Sequence, residues 1–265
     1  MPLPKFGASV SPFMNILDGM EQIFFKGLDF LEIPIQEPYC TPNLLLKNKK
    51  EIKKFVEDNE IFLLAHPPHW NDISTSHEKI RKAWVEEYKE ILDISHELEV
   101  KKIVVHPHFK KKILPENIKK EIIGNIINSL EEISDYSKDY GIEVLLENEG
   151  RPDEIASYED FKYIVDNVEG IKVILDVGHA FRYHDMDNIM KYLKSFRKKI
   201  DHLHFHDNHG DEDEHLPIGV GNIDYKMVVD YLKKTKYDKT ITFEIFCRDK
   251  DYVALSMEKI RKMWK

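Results

Sequence analysis

The chain has 265 residues, 42% of them hydrophobic and 33% charged, and a formal net charge of −9. This hydrophobic content supports a buried core and excludes a disordered chain, and the negative charge provides no general basic field for nucleic acid or anionic lipid. With only Cys40 and Cys247, a disulfide framework and a cysteine-rich zinc site are excluded. We expect both thiols to be buried in a reducing compartment.

No apolar run approaches the ~18 residues of a membrane-spanning helix. The first residues, Met1-Pro2-Leu3-Pro4-Lys5, lack the charged-then-apolar order of a signal peptide. The sequence therefore predicts a cytoplasmic protein with no membrane partner.

Eight short runs rich in β-branched and apolar residues recur along the chain, and each is followed by a longer segment with helical spacing. The runs are 5–10, 28–36, 61–66, 102–106, 142–148, 171–177, 201–207 and 240–246. Continuous apolar character, as in 103–105, is typical of strands that are buried on both faces. Because a single (β/α)₈ barrel takes about 250 residues, the pattern predicts one TIM-barrel domain over 1–265. An open, doubly wound sheet is the alternative.

Apolar residues three or four positions apart predict the helices between these runs. In the first long helix the expected inward face is Ile80, Trp84, Tyr88, Ile91 and Ser95. Gly27, Gly141 and Gly170 stand just before three of the runs. We expect each of them to end the preceding helix in a left-handed turn.

Six of the runs, from the third to the eighth, end on a side chain that can bind a metal ion. These residues are His66, His106, Glu147, Asp176, His204 and Glu244. In a closed parallel barrel all the strands end on one face, so the six side chains should converge. Imidazole and carboxylate ligands together suit Zn²⁺, Mn²⁺, Co²⁺ or Fe²⁺. One histidine at a strand end is usually only hydrogen-bonded, but the set of six predicts a divalent-metal site.

Three loop residues, His179, Asp213 and His215, could form a further metal position. For the acidic segment 211–215 the alternative is a solvated loop. The nearby Gly219-Val-Gly221 does not follow a strand as a dinucleotide-binding loop does, so we reject that interpretation.

Four other histidines, His69, His108, His206 and His209, are expected on the surface or supporting the site from outside it. Trp70 either covers a substrate pocket or packs in the core. Neither a cysteine nor a serine lies in a nucleophile elbow, which argues against covalent hydrolysis.

Several short motifs together resemble the xylose isomerase-like TIM barrel superfamily, which unites sugar isomerases and epimerases, such as D-tagatose 3-epimerase-like proteins, with endonuclease IV. The motifs are His66-Pro-Pro, Val105-His106-Pro107, Leu146-Glu147-Asn148, Asp176-Val-Gly-His179, His202-Leu-His204, His215-Leu-Pro-Ile-Gly219 and Phe243-Glu244. They run from the third strand to the eighth, so the resemblance covers most of the chain.

The ketose-epimerase pattern implies that Glu147, Asp176, His204 and Glu244 bind one divalent ion, Zn, Mn or Co, with His179 close to the substrate. Glu147 and Glu244 would then also act as acid and base, moving a proton next to a carbonyl through an enediolate. The implied substrate is a small sugar or sugar phosphate. Residues 206–209 stand where these epimerases carry a substrate-binding arginine, which argues against a known ketohexose.

The endonuclease IV pattern implies a cluster of three zinc ions that hydrolyses a phosphodiester in DNA. It adds His66, His106, His179, Asp213 and His215 to the other four ligands, and all nine positions have a suitable residue here. The acidic loop 211–214 and the net charge argue against a nucleic-acid partner, and the nearest basic cluster is 110–112. We therefore favour the isomerase or epimerase and keep the AP endonuclease as the alternative. The resemblance also implies a homodimer.

Overall fold

The computed structural model describes residues 3–107, 115–149 and 157–265. The strands in these ranges are β1 (Lys5–Ser9), β2 (Phe30–Pro34), β3 (Phe62–His66), β4 (Lys102–Val105), β5 (Glu143–Glu147), β6 (Lys172–Asp176), β7 (Ile200–Phe205) and β8 (Thr240–Phe243). The helices are α1 (Ile16–Ile23), α2 (Pro42–Lys47), α3 (Lys49–Asp58), α4 (Glu78–Glu97), α5 (Glu116–Lys138), α6 (Tyr158–Asn167), α7 (Val177–Phe181), α8 (Met186–Ser195), α9 (Tyr225–Thr235) and α10 (Asp251–Trp264). No helix in the described ranges combines the length and apolarity that crossing a membrane requires.

The eight strands form a closed, all-parallel barrel in chain order. Closure is made by β1, which pairs with β2 through Gly7 and Phe30 and with β8 through Lys5 and Thr240. The predicted TIM barrel is confirmed, and the open doubly wound sheet is wrong.

Each predicted run corresponds to one strand and is longer than it, and β7 begins at Ile200, one residue before its run. The apolar character extends past the hydrogen-bonded ladder because residues such as Ile35 and Ile245, just beyond β2 and β8, are also buried. The hydrophobic pattern indicates which residues are buried, whereas a strand ends where its backbone hydrogen bonds to the neighbouring strands end. The pattern therefore predicts strands that are too long.

Helix α4 buries Tyr88, Ile91 and Ser95 as predicted, but Ile80 is 51% exposed and Trp84 is only half-buried. Steps of four residues rotate by about 40° around a helix, so the series from Ile80 drifts away from the buried face. Gly27, Gly141 and Gly170 all have positive φ, at 114°, 65° and 77°. Only Gly141 ends its helix as predicted, because α1 and α6 already end at Phe24 and Val168 in extended conformation.

The interior of the barrel contains a column of polar side chains. Lys102 Nζ donates to Thr240 Oγ1 at 3.2 Å, and Thr240 Oγ1 lies 2.7 Å from His202 Nδ1. His202 Nε2 in turn lies 3.0 Å from Glu32 Oε2. TIM-barrel interiors are usually filled by branched apolar residues. Here polar contacts run along the barrel to the end that carries the predicted metal ligands.

The two thiols differ in accessibility. Cys40 is fully buried, and burial raises its pKa to about 11. Cys247 is half-buried and lines a cavity, so the expectation of two buried thiols is wrong for Cys247.

We expect a disulfide reagent such as DTNB to modify one thiol per folded chain at pH 8 and two after unfolding, because Cys40 is fully buried whereas Cys247 is half-buried on the cavity. The Cys247→Ser variant should show no rapid reaction in the native state. Two equally fast thiols in the folded protein would contradict the burial of Cys40.

Candidate metal centre

The carboxyl ends of the strands surround a cavity of about 550 Å³. Most of the predicted ligands line it, namely His66, His106, Glu147, His179, Asp213, His215 and Glu244. Asp176 and His204 are fully buried against these residues. The structure thus brings all nine predicted metal-binding residues to one end of the barrel.

The central group consists of Glu147, Asp176, His204 and Glu244. From His204 Nδ1, the distance is 3.3 Å to Glu147 Oε1, 3.6 Å to Asp176 Oδ2 and 3.4 Å to Glu244 Oε2. The geometry at His204 Nδ1 gives no hydrogen bond to any described residue. Three carboxylates therefore surround one imidazole nitrogen without forming a normal hydrogen bond to it.

Two further groups flank the central one. In the first, His106 Nε2 lies 3.1 Å from both His66 Nε2 and Glu147 Oε2. In the second, Asp213 lies 3.2 Å from His179 Nε2 and 3.4 Å from His215 Nε2.

These separations suit a divalent ion. Two nitrogen or oxygen ligands at 2.0–2.1 Å from one tetrahedral ion lie about 3.3 Å apart. The donor atoms in the three groups are 3.1–3.6 Å apart where the ion pairs above join them. The residues present therefore fit divalent ions. In groups such as His66, His106 and Glu147, or Glu147, Asp176 and His179, one donor atom from each residue lies within 4.8 Å of the others.

In three of these histidines, Nδ1 forms a hydrogen bond that turns Nε2 toward the other candidate ligands. His66 Nδ1 contacts Glu32 Oε1 at 2.6 Å, His179 Nδ1 contacts the Asn148 carbonyl at 3.1 Å and His215 Nδ1 contacts the Glu244 carbonyl at 2.9 Å. Because each acceptor needs a proton on Nδ1, Nε2 is the nitrogen that would bind a metal ion once its own proton has left. Metal-binding histidines are usually held in this way.

Glu32, in the middle of β2, is a site residue that the sequence analysis missed. Its Oε1 lies 3.2 Å from His204 Nε2, while Oε2 accepts from Thr242 Oγ1 at 2.5 Å. Burial raises the pKa of Glu32, but the field of His204 and the hydrogen bonds from His202 and His66 hold it well below its usual value. A glutamate inside the apolar run 28–36 was the available signal, because a buried charge needs partners.

His206 is also part of the centre rather than a surface residue. It is fully buried, its Nε2 donates to Asp176 Oδ1 at 3.1 Å, and its ring stacks on His215 at 3.9 Å. A Cβ on Gly178 would lie 2.0 Å from the His206 ring, so only glycine fits there. His209 is exposed and paired with Glu214, as expected. His108 and 110–112 lie outside the described residues.

The loop after β7 is folded back by Asp207. This buried carboxylate accepts from the backbone N–H of Gly219 at 2.8 Å and of Ile223 at 3.2 Å. A Cβ on Gly221 would lie 2.3 Å from the Asn208 carbonyl. The two glycines therefore shape the loop that carries Asp213 and His215, and the solvated-loop alternative for 211–215 does not describe these two side chains.

The wall of the cavity contains residues that could contact a substrate. Trp70 lines it and is 41% exposed, so the core-packing alternative is wrong. Phe246 stacks on His215 at 4.2 Å. Arg182 and Lys250 add two cations that the sequence analysis did not consider.

We expect Glu32→Gln to weaken divalent-metal binding by about 10–100-fold, the usual effect of losing a group that orients a metal ligand. An amide cannot accept from His66, His202 and Thr242 as the carboxylate does. Metal dissociation constants from chelator competition would test this, with Glu143→Gln, an exposed glutamate at the opposite end of the barrel, as the control. Equal affinities in the two variants would contradict the role of Glu32.

Metal binding should also depend on pH. Burial lowers the pKa values of His179 and His204, but their carboxylate neighbours raise them well above the usual value, and the pKa of His215 is raised to about 9. These groups carry protons at pH 7 that a metal ion must displace. Apparent affinity should rise from pH 7 to 9 by about tenfold per pH unit for each proton displaced. Titration calorimetry in buffers of different ionisation enthalpy counts the protons, and a flat profile would contradict this assignment.

Comparison with known proteins identifies relatives with two chemistries. The chain is 31% identical over 252 residues to the uncharacterized protein MJ1311 of Methanocaldococcus jannaschii, covering 91% of this chain and 83% of that protein. It is 28% identical over 264 residues to an inosose isomerase of Halalkalibacterium halodurans, covering 94% and 88%. It is 26% identical over 260 residues to a probable endonuclease 4 of Aquifex aeolicus, covering 91% and 90%.

Among solved structures, a D-tagatose 3-epimerase-like protein superposes with a TM-score of 0.86 at 28% identity, covering 98% of each chain. The model of the family described as xylose isomerase-like TIM barrel matches residues 21–263. The match begins within α1 and ends at Met263 in α10, so it includes every strand that carries a candidate ligand. This chain therefore belongs to the xylose isomerase-like TIM barrel family.

Proposed function

We propose that the protein is a divalent-metal-dependent isomerase or epimerase of a small sugar or sugar phosphate. The observation that carries the proposal is the central group, in which Glu147, Asp176 and Glu244 surround His204 Nδ1 at 3.3–3.6 Å. The isomerase and the epimerase-like protein among its relatives support this class of reaction.

Glu147, Asp176, His204 and Glu244 would hold the ion. When bound, a divalent ion acts as a Lewis acid that polarises the sugar carbonyl and makes the adjacent C–H more acidic. His179 Nε2 faces the cavity beside Asp213 and would contact substrate oxygens in the one-ion enzyme.

In this proposal the side chains of Glu147 and Glu244 transfer protons to and from the substrate carbon next to the carbonyl. Burial raises the pKa of each, but the field of His204 outweighs it, and the pKa of Glu147 is held further below its usual value. Both groups are therefore carboxylates, and Glu147 would take the proton next to the carbonyl. Return of this proton by Glu147 to the neighbouring carbon would give the isomer, whereas the epimer would form when Glu244, after gaining a proton from solvent, protonates the enediolate on the other face.

The cavity suits a substrate of this size. Its volume of about 550 Å³ is within the range of about 300–1,000 Å³ for small-molecule sites. Aromatic side chains at Phe13, Trp70 and Phe246 line it. Their rings would pack on the apolar faces of a sugar and exclude water from the reacting carbon.

Incubation of the metal-loaded protein with a panel of ketoses and ketose phosphates in D₂O tests the proposal. We expect deuterium at the carbon next to the carbonyl in at least one substrate, and loss of this exchange by about 10²–10⁴-fold in Glu147→Gln. Glu244→Gln should still exchange deuterium but form no epimer.

Metal content must be measured in every variant, because both glutamates are also candidate ligands. Glu143→Gln is the control and should keep the activity. The proposal fails if no substrate takes up deuterium while the central group holds its ion.

The AP endonuclease is the second candidate, because the candidate ligands form several overlapping groups that could each hold a metal ion and a probable endonuclease 4 is among the relatives. The aromatic lining and the volume of about 550 Å³ favour a small substrate over a duplex. Nicking of a duplex with one abasic site, dependent on zinc and absent in His106→Ala, would reverse this order.

A further inference from the structure

Arg182, directly after α7, carries a buried and weakly paired guanidinium group on the cavity wall. The residue is 9% exposed, and its Nε forms no hydrogen bond with the described residues. Nη2 approaches Tyr183 Oη only at 3.5 Å, and Nη1 is 3.9 Å from Asp213 Oδ2. A group with five N–H donors is thus buried with few acceptors.

The position of this group is fixed by the fold. The backbone N–H of Arg182 donates to the Gly178 carbonyl at 3.0 Å, which ties it to the turn that follows Asp176. Its guanidinium lies 5.0 Å from the centre of the Tyr183 ring, a distance typical of a cation–π contact. The backbone of Arg182 and its guanidinium group are therefore each held by a contact within the protein.

The Asp213 carboxylate does not neutralise the Arg182 guanidinium group on its own. The Asp213 carboxylate is already 3.2 Å from His179 Nε2 and 3.4 Å from His215 Nε2, both closer than Arg182. If Asp213 served only to neutralise Arg182, the fork of the guanidinium would face it at hydrogen-bond distance. Among the described residues no other carboxylate forms an ion pair with Arg182.

A second cation lies on the same cavity. Lys250 lines it at the start of α10 and forms no ion pair with the part of the chain described. Cys247 and Phe246, which precede Lys250 on the loop after β8, also line the cavity. The cavity thus has two cations that the metal ligands do not neutralise, in a chain whose net charge is −9.

We propose that Arg182 forms an anion subsite and that the substrate is a sugar bearing a phosphate or carboxylate group, which the guanidinium binds through paired N–H donors while Lys250 adds charge. This inference rests on the proposed function for the sugar, since both use the same cavity. A planar guanidinium matches the two oxygens of either anion. The anion would be bound away from the reacting carbon and would orient the carbonyl between Glu147 and Glu244.

Ligands that bind but cannot react test the subsite apart from catalysis. Sorbitol, sorbitol 6-phosphate and gluconate lack a ketone, so calorimetry with the metal-loaded protein measures binding alone. We expect sorbitol 6-phosphate or gluconate to bind at least tenfold more tightly than sorbitol. Which anion shows the gain distinguishes a phosphate from a carboxylate substrate.

Three variants locate the effect. Arg182→Gln should lose the preference for the anion, Arg182→Lys should keep part of it, and Arg248→Gln, an exposed arginine that does not line the cavity, should keep it all. Metal content should be equal in the wild type and all three. Equal affinities in the wild type, or a preference that survives in Arg182→Gln and therefore comes from the metal ions, would overturn the subsite.

Failure of the subsite and failure of the proposed function give different results. Anion preference that depends on Arg182, without deuterium exchange in any ketose, leaves the subsite and removes the isomerase. Exchange into ketoses that bear a phosphate or carboxylate, with the same KM in wild type and Arg182→Gln, leaves the isomerase and removes the subsite.

Discussion

The constraint on which the rest of the site depends is one buried carboxylate inside the barrel. Glu32 belongs to β2, yet its partners His66, His202 and Thr242 belong to β3, β7 and β8. These partners can surround it only if the sheet is closed, because β1 separates β2 from β8. Burying the charge without them would cost several kcal/mol. The same carboxylate contacts histidines of two ligand groups, His66 and His204. The contacts that need a closed barrel therefore also position these candidate ligands.

Periodicity was sufficient to predict the barrel and the convergence of its strand ends. His66, Glu147 and Asp176 are the last residues of their strands, and parallel closure places such residues together whatever lies between them. Glu32 and His206 could not be assigned in the same way. Glu32 lies in mid-strand, and its role depends on contacts across the barrel. His206 acts through Asp176, and nothing in its spacing distinguishes it from the exposed His209. The sequence analysis missed Arg182 because the feature that singles it out, a buried guanidinium group with few hydrogen-bond acceptors, is visible only in the structure.

The nine candidate ligands are compatible with two chemistries, and the residues that line the rest of the cavity decide which chemistry is favoured. A cavity with aromatic walls and two cations is a suitable environment for a compact, polar anion. The acidic loop after β7 contributes Asp213 to the centre and leaves Asp211 and Glu212 exposed, where they would repel a nucleic-acid backbone. The distinction between a sugar enzyme and a nuclease therefore lies in the walls rather than in the ligands.

The segment that joins β6 to α7 has no loop. Asp176 is the last strand residue, it accepts from the His179 backbone N–H at 2.7 Å as the N-cap of α7, and its carboxylate lies beside His204. Residues 176–179 therefore end the strand, cap the helix and carry two candidate ligands, Asp176 and His179. Gly178 must also lack a side chain, because a Cβ there would overlap the His206 ring. In evolutionary terms this is a position where length cannot vary. An inserted residue would separate strand end, helix cap and His179 at once, whereas loops that only connect helices can lengthen freely, so divergence in substrate is expected to arise in the other loops around the mouth.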